Sequence, residues 1–173
     1  NTLGFCIGGT LLTCAAGVIA KQKKNTINSI TLMASLLEFS DPGILKIFID
    51  EASISMRENS IGQKGIMAGS ELASTFSFLR PDDLIWNYYV SNYLKGEKPV
   101  PFDLLYWNGD SANLAGPFYC WYLKNFYLKD RLKRPNDLSI CGEKIDLQTI
   151  TCPIYAMGAK EDHIVPCKSA FTS

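Results

Sequence analysis

Histidine is almost missing from this chain: among 173 residues there is one, His163. A zinc site of the usual Cys and His ligands therefore has little to draw on. Neither is there a C-x-x-C pair among the six cysteines, Cys6, Cys14, Cys120, Cys141, Cys152 and Cys167. Their wide spacing is not that of a stapled secreted scaffold, and no signal peptide is present, so the expectation is reduced thiols in a cytoplasmic protein. An excess of either charge is missing too. Lys+Arg and Asp+Glu each number 17, a net charge of zero, which argues against a nucleic-acid groove and a polybasic membrane anchor. No apolar run reaches the length of a bilayer. There is no internal repeat and no low-complexity segment.

What is present is a globular chain with 47% hydrophobic residues, long enough for one domain with a proper core. Its most specific feature is Gly4-Phe5-Cys6-Ile7-Gly8, followed by Gly9. This G-x-C-x-G pattern is that of a nucleophile elbow, with cysteine in the place of serine. Small residues two before and two after the nucleophile let a strand and a helix approach without collision. The small-residue run over residues 10–20 reads as the helix. A helix start beside Cys6 brings a partial positive charge to the sulfur, and is expected to lower its pKa from the free value of about 8.5. The backbone N–H of Ile7 then points where an oxyanion would form. An ordinary glycine-rich turn around a buried cysteine remains the alternative. The basic run Lys21-Gln22-Lys23-Lys24 caps the helix in solvent.

Residues 29–34 are β-branched and apolar, as in a buried parallel strand. A helix is expected over residues 44–52 and a mobile loop over 59–69, which holds Gly62, Gly65 and Gly69. A short helix over 70–79 precedes Arg80-Pro81-Asp82-Asp83, which reads as the start of an aromatic helix ended by Gly96. The stripe of Trp86, Tyr88, Tyr89 and Tyr93 is expected to be mostly core, with a substrate wall or subunit contact as the other reading. A second aromatic helix spans 118–133, a β-ribbon 139–147 and a core strand 153–158. The surplus between elbow and last strand reads as a helical cap over the sheet edge where α/β proteins place their sites. The division is 1–38 (elbow and βα unit), 39–107 (cap) and 108–173 (return to the core).

Asp162 follows the last strand and is the candidate triad acid, in the chain order nucleophile, acid, histidine. Glu161 beside it and Asp110 in a turn are the other candidates. His163 adjoins Asp162 in sequence. Neighbouring side chains diverge, so one loop cannot easily pair the two and also aim the imidazole at Cys6. His163 is read as an accessory residue. Phe102, Tyr106 and Trp107 lie where the cap rejoins the sheet, and Phe102 and Trp107 are candidates for a substrate entrance.

Five blocks together resemble one family: residues 4–9, 76–84, 101–110, 116–122 and Glu161-Asp162-His163-Ile164-Val165-Pro166. They are similar to the catalytic domain of polyhydroxyalkanoate synthases, nearest to the single-subunit type that prefers short-chain monomers. The resemblance covers essentially the whole chain. It implies a partial α/β-hydrolase fold with a mostly helical cap between core strands. It implies that Cys6 is the acylated nucleophile and Asp162 the triad acid, with the catalytic histidine in a later segment beyond residue 173. The activity implied is polymerisation of (R)-3-hydroxyacyl-CoA into polyester with release of CoA, without metal or organic cofactor. The partners implied are the acyl-CoA, the growing chain, a second copy of the protein and the surface of a cytoplasmic polymer granule. Other readings are a cysteine-type hydrolase of small esters or lactones and a silent granule-associated homologue. With Asn1-Thr2-Leu3 alone before the elbow and no initiator Met, the chain is expected to be an internal fragment. By itself it would lack polymerase activity, with the base and the second oxyanion donor supplied from outside it.

Overall fold

The computed structural model describes residues 1–24, 26–99, 101 and 103–173. Two short, largely apolar runs pair in parallel near the start of the chain. They are β1 (Thr2–Phe5) and β2 (Ile30–Met33), with Gly4 opposite Leu32 and Phe5 opposite Met33. Parallel neighbours need a crossover, and α1 (Ile7–Lys21) supplies it. Its buried face is made of Gly9, Thr10, Thr13, Cys14, Ala16 and Gly17, residues short enough for close helix–sheet packing. At Gly17 an added Cβ would sit 3.1 Å from Ile145.

A 3₁₀ segment (Gly43–Phe48) then leads to α2 (Glu51–Ile61), β3 (Ile66–Met67) and α3 (Gly69–Leu79). Two π-helical segments follow, Asp82–Trp86 and Tyr89–Leu94, and then α4 (Asp103–Gly109), β4 (Leu114–Ala115) and α5 (Gly116–Tyr122). A third π-helical segment, Leu123–Leu128, continues α5. The ribbon β5 (Ser139–Ile140) and β6 (Glu143–Lys144) turns at Cys141 and Gly142, both with positive φ, as a two-residue hairpin requires. Last come β7 (Ile154–Met157) and α6 (Cys167–Thr172). β7 pairs in parallel with β2, Met33 opposite Met157, giving the sheet order β1-β2-β7.

The chain divides into two compact units, Asn1–Met56 with Trp121–Ser173, and Arg57–Cys120. In the first, Ile30 and Leu32 of the central strand join Phe39, Phe126, Leu132 and Ile145 in the core. Phe39 is caged edge-on by Tyr122, Phe126 and Tyr127. Its N–H donates to Asp130 Oδ1 at 2.9 Å, and Lys133 pairs with both Asp130 (2.5 Å) and Glu38 (2.8 Å). In the second unit β3 and β4 pair antiparallel, Ile66 opposite Ala115. Met67 is buried there, and Arg57 bridges to Glu71 at 2.5 Å.

Several expectations need correction. Residues 44–52 hold a 3₁₀ segment and only the start of α2, not one helix. The expected loop at 59–69 contains the last turn of α2, β3 and the start of α3. Its glycines serve close packing: a Cβ on Gly65 would collide with Ile61 and one on Gly69 with Ser111. The aromatic stripe is not core, since Trp86, Tyr88, Tyr89 and Tyr93 are all exposed. These rings pack mainly on each other, Trp86 edge-on to Tyr89 and Tyr89 stacked on Tyr93. The strand at 153–158 is an edge of the sheet among the described residues, with its side chains exposed.

Candidate active site

The parallel register sets the site. Phe5, Met33 and Met157 lie in one row across three strands, so the chain leaves β1 and β7 at the same edge of the sheet. With strands about 4.8 Å apart, the segments after β1 and β7 emerge about 10 Å from one another. Cys6 is the first residue after β1, and Asp162 lies on the loop after β7.

Cys6 is fixed from both sides. Its N–H donates to Met33 O at 2.9 Å, and its carbonyl accepts from Gly9 N–H (3.0 Å) and Thr10 N–H (3.4 Å). Between these anchors the backbone turns with φ 52° and ψ −127°. Residues with a side chain rarely hold that region without enforcement. The close approach falls on Gly4 and Gly9. A Cβ on Gly4 would strike the Gly9 backbone, and one on Gly9 would strike the Ser35 side chain. Gly8 has open space around the position a Cβ would take, so the small residue that the turn needs after the cysteine is Gly9, not Gly8.

The Cys6 thiol is pushed up from its ordinary pKa, not down. Burial is the largest cause. The Ile7 N–H, directed at the sulfur, pulls the other way but does not outweigh it, and the negative charge of Asp162 raises the pKa further. The expectation of a lowered pKa counted the helix start and missed the desolvation. A thiol with its pKa above the ordinary value is protonated near neutral pH.

Asp162 is half-buried. Its N–H donates to Ala159 O at 3.3 Å, and its Oδ1 accepts from Ile164 N–H (2.9 Å) and Val165 N–H (3.0 Å). The loop thus holds one carboxylate oxygen, and the charge reaches Cys6. Glu161 is exposed. Asp110 is exposed in the second unit, in a turn where its N–H donates to Trp107 O at 3.2 Å. His163 is half-buried beside Asp162, whose Oδ1 bonds go to Ile164 and Val165. Trp107 is largely exposed on α4 in the second unit. Phe102 lies outside the described residues. Among the described residues no three His, Cys, Asp or Glu side chains cluster as a metal site would require.

Two residues near the sulfur escaped the sequence reading. Thr10 on the first turn of α1 donates to Leu36 O at 2.6 Å. Tyr122 is buried, close enough for its charge to interact with that of Cys6, and its phenol is pushed up by that burial. The available signal was Thr10 and Thr13 on the buried side of an apolar, small-residue helix.

A family model described as the α/β-hydrolase fold matches residues 1–170. The poly(3-hydroxyalkanoate) polymerase subunit PhaC of Cupriavidus necator is 51% identical over 178 residues, covering 100% of this chain. The chain belongs to the polyhydroxyalkanoate synthase family. The PhaC polymerase subunit of Rhizobium meliloti is 42% identical over 99% of the chain, and polymerase 1 of Ectopseudomonas oleovorans 38% over 100%. The chain spans about 30% of the length of these relatives (30%, 28% and 31%). The expected α/β-hydrolase fold with helical insertions between core strands is borne out: β2 and β7 are neighbours in the sheet, and the helices α2 to α5 lie between them in sequence. Among the described residues no helix is long and apolar enough to cross a membrane.

Proposed function

We propose that these residues form part of a polyhydroxyalkanoate synthase that builds polyester from (R)-3-hydroxyacyl-CoA through a thioester on Cys6. The observation that carries the reading is the strained turn at Cys6, with the Ile7 N–H at its sulfur and the Asp162 charge within reach. Once deprotonated, the sulfur attacks the carbonyl carbon of the CoA thioester. The carbon–sulfur bond to CoA breaks, and CoA leaves with the proton that Cys6 gave up. A thioester replaces a thioester, so the acyl group stays activated. The 3-hydroxyl of the next unit then attacks that carbonyl. Its proton goes to a base, an oxygen ester forms and a thiol is released. The Ile7 N–H stabilises the oxyanion.

Asp162 orients and charge-stabilises the imidazole that serves as base. His163 is an accessory residue, and the base comes from outside residues 1–173, in a chain as long as its relatives. The exposed aromatic face of Trp86, Tyr88, Tyr89 and Tyr93 supports a second copy as partner. The protein works in the cytoplasm at the surface of polymer granules, without metal or organic cofactor.

The test is to incubate the full-length chain with 3-hydroxybutyryl-CoA and locate the acyl group by mass spectrometry. Acylation of Cys6 with polymer and free CoA is the expected result. An acyl group on another cysteine overturns the nucleophile. Free acid without polymer makes the protein a hydrolase, and no CoA release at all makes it a silent homologue.

A further inference from the structure

We infer that Ser169 is a positioning residue for Asp162: by bonding the Asp41 carbonyl it fastens α6 to the segment after β2, and so fixes where the loop between β7 and α6 holds the carboxylate. The inference rests on the reading of Asp162 as the acid that orients the base.

The loop runs from Gly158 to Pro166. Its inner bonds are local. Asp162 Oδ1 accepts from Ile164 N–H at 2.9 Å and Val165 N–H at 3.0 Å, and the Asp162 N–H donates to Ala159 O at 3.3 Å. These bonds shape the loop, but all of them fall within it, so they do not decide where it sits. Its two ends do. At the first, Met157 O accepts from Ala34 N–H at 2.7 Å, which ties the end of β7 to the sheet. At the second stands α6, a helix of six residues, short enough to need tertiary support.

That support comes from residues 37–43. Ser169 is buried, and its hydroxyl donates to Asp41 O at 2.7 Å, across 128 positions of sequence. The Ser169 carbonyl accepts from the Ser173 hydroxyl at 2.8 Å, whose oxygen receives the N–H groups of Leu37 (2.9 Å) and Glu38 (3.3 Å). Two residues past Asp41, Gly43 turns with φ 63° against the end of the loop. A Cβ there would sit 2.9 Å from Pro166 Cγ and 3.5 Å from His163 O. One stretch of backbone therefore meets both α6 and the last residues of the acid loop. With Oδ1 taken inside the loop, Oδ2 is the oxygen left for an imidazole, and its direction turns with the loop. The placement also has a readout apart from turnover. The Asp162 charge raises the Cys6 thiol, and that influence falls with distance.

The experiment combines steady-state kinetics of the full-length chain on 3-hydroxybutyryl-CoA with iodoacetamide alkylation of Cys6 near pH 8. Asp162→Asn must cut turnover strongly; if it does not, the reading of the acid fails and takes this inference with it. Given that loss, Ser169→Ala is expected to lower kcat by about ten- to hundred-fold and change KM by less than about two-fold, since small misplacements act on the chemical step. The loosened loop moves toward solvent, so Cys6 alkylation should become about two-fold faster. In the Asp162→Asn background Ser169→Ala should alter neither property further, because it acts through that carboxylate. Gly43→Ala, which presses on Pro166 from the other side of the same contact, should repeat this pattern, and it carries the comparison if Ser169→Ala does not fold. A wild-type kcat in the single variants overturns the inference while leaving Asp162 in place. So do losses that multiply in the double variants, or a fall in kcat with Cys6 alkylation unchanged.

Discussion

The Asp162 carboxylate opposes ionisation of the Cys6 thiol. In the roles proposed for them, a charge that would orient a base works against the nucleophile while the base is neutral. Asp162→Asn should therefore move the two properties apart. Alkylation of Cys6 by iodoacetamide near pH 8 should become several-fold faster, because the raised thiol pKa falls when the neighbouring negative charge is removed. Turnover should drop by about 10³-fold or more, the scale seen when a triad carboxylate is neutralised. Glu161→Gln and Asp110→Asn should change neither by more than about two-fold. In the wild type the alkylation rate should keep rising as pH passes the ordinary thiol value of 9.0, since ionisation of a raised group is completed later. A plateau below that pH would refute the raised thiol.

The glycines of the elbow are not equivalent. Gly9→Ala drives a methyl group into Ser35, and Gly4→Ala drives one into the Gly9 backbone, whereas Gly8→Ala enters open space. The first two should each destabilise the protein by about 1–3 kcal/mol, the range of overpacking, and Gly8→Ala should leave the denaturant midpoint unchanged or raise it. Ser35→Gly should restore much of the loss in Gly9→Ala and none of that in Gly4→Ala, because it clears only the first collision. Equal losses at positions 8 and 9 would contradict the packing.

Aromatic residues divide sharply by burial. Phe126 is fully enclosed (0% exposed) and stacked on Tyr122, while Tyr93 is 75% exposed. Phe126→Ala should lower stability by about 3–5 kcal/mol. Tyr93→Ala should lower it by less than about 1 kcal/mol. Urea titration of the full-length variants measures both, and a large loss at Tyr93 would return that ring to a core.

The sequence was readable where the physics is local. G-x-C-x-G specifies a tight turn within a few residues, and the strand expected over 29–34 is found at Ile30–Met33, while the helix expected over 10–20 begins three residues earlier, at Ile7. Asp162 was singled out because an acid on the loop after an apolar strand is also a local pattern. What escaped depends on partners far along the chain. Whether Gly8 or Gly9 is the tight position is decided by Ser35. The direction of the thiol shift is decided by burial and by Asp162. A helical period marks Trp86, Tyr89 and Tyr93 as sharing a face, but cannot say whether anything covers it. Tyr122 could be quoted as part of a resemblance, yet its edge-on contact with Phe39 needs two distant segments to meet.

Position 6 also reverses an ordinary rule of helix starts and turns. Across most sites, exchanging alanine for glycine loosens a protein, by about 1 kcal/mol within helices. At φ 52° and ψ −127° the side-chain carbon is itself the source of strain, so the order inverts. Cys6→Gly should unfold at a denaturant concentration no lower than Cys6→Ala, although both are dead as nucleophiles. The protein with cysteine at position 6 would then be less stable than its glycine variant. If the proposed thioester chemistry is what selection keeps, a search for stabilising variants that ignored turnover would drift toward glycine at the one position where that chemistry needs sulfur.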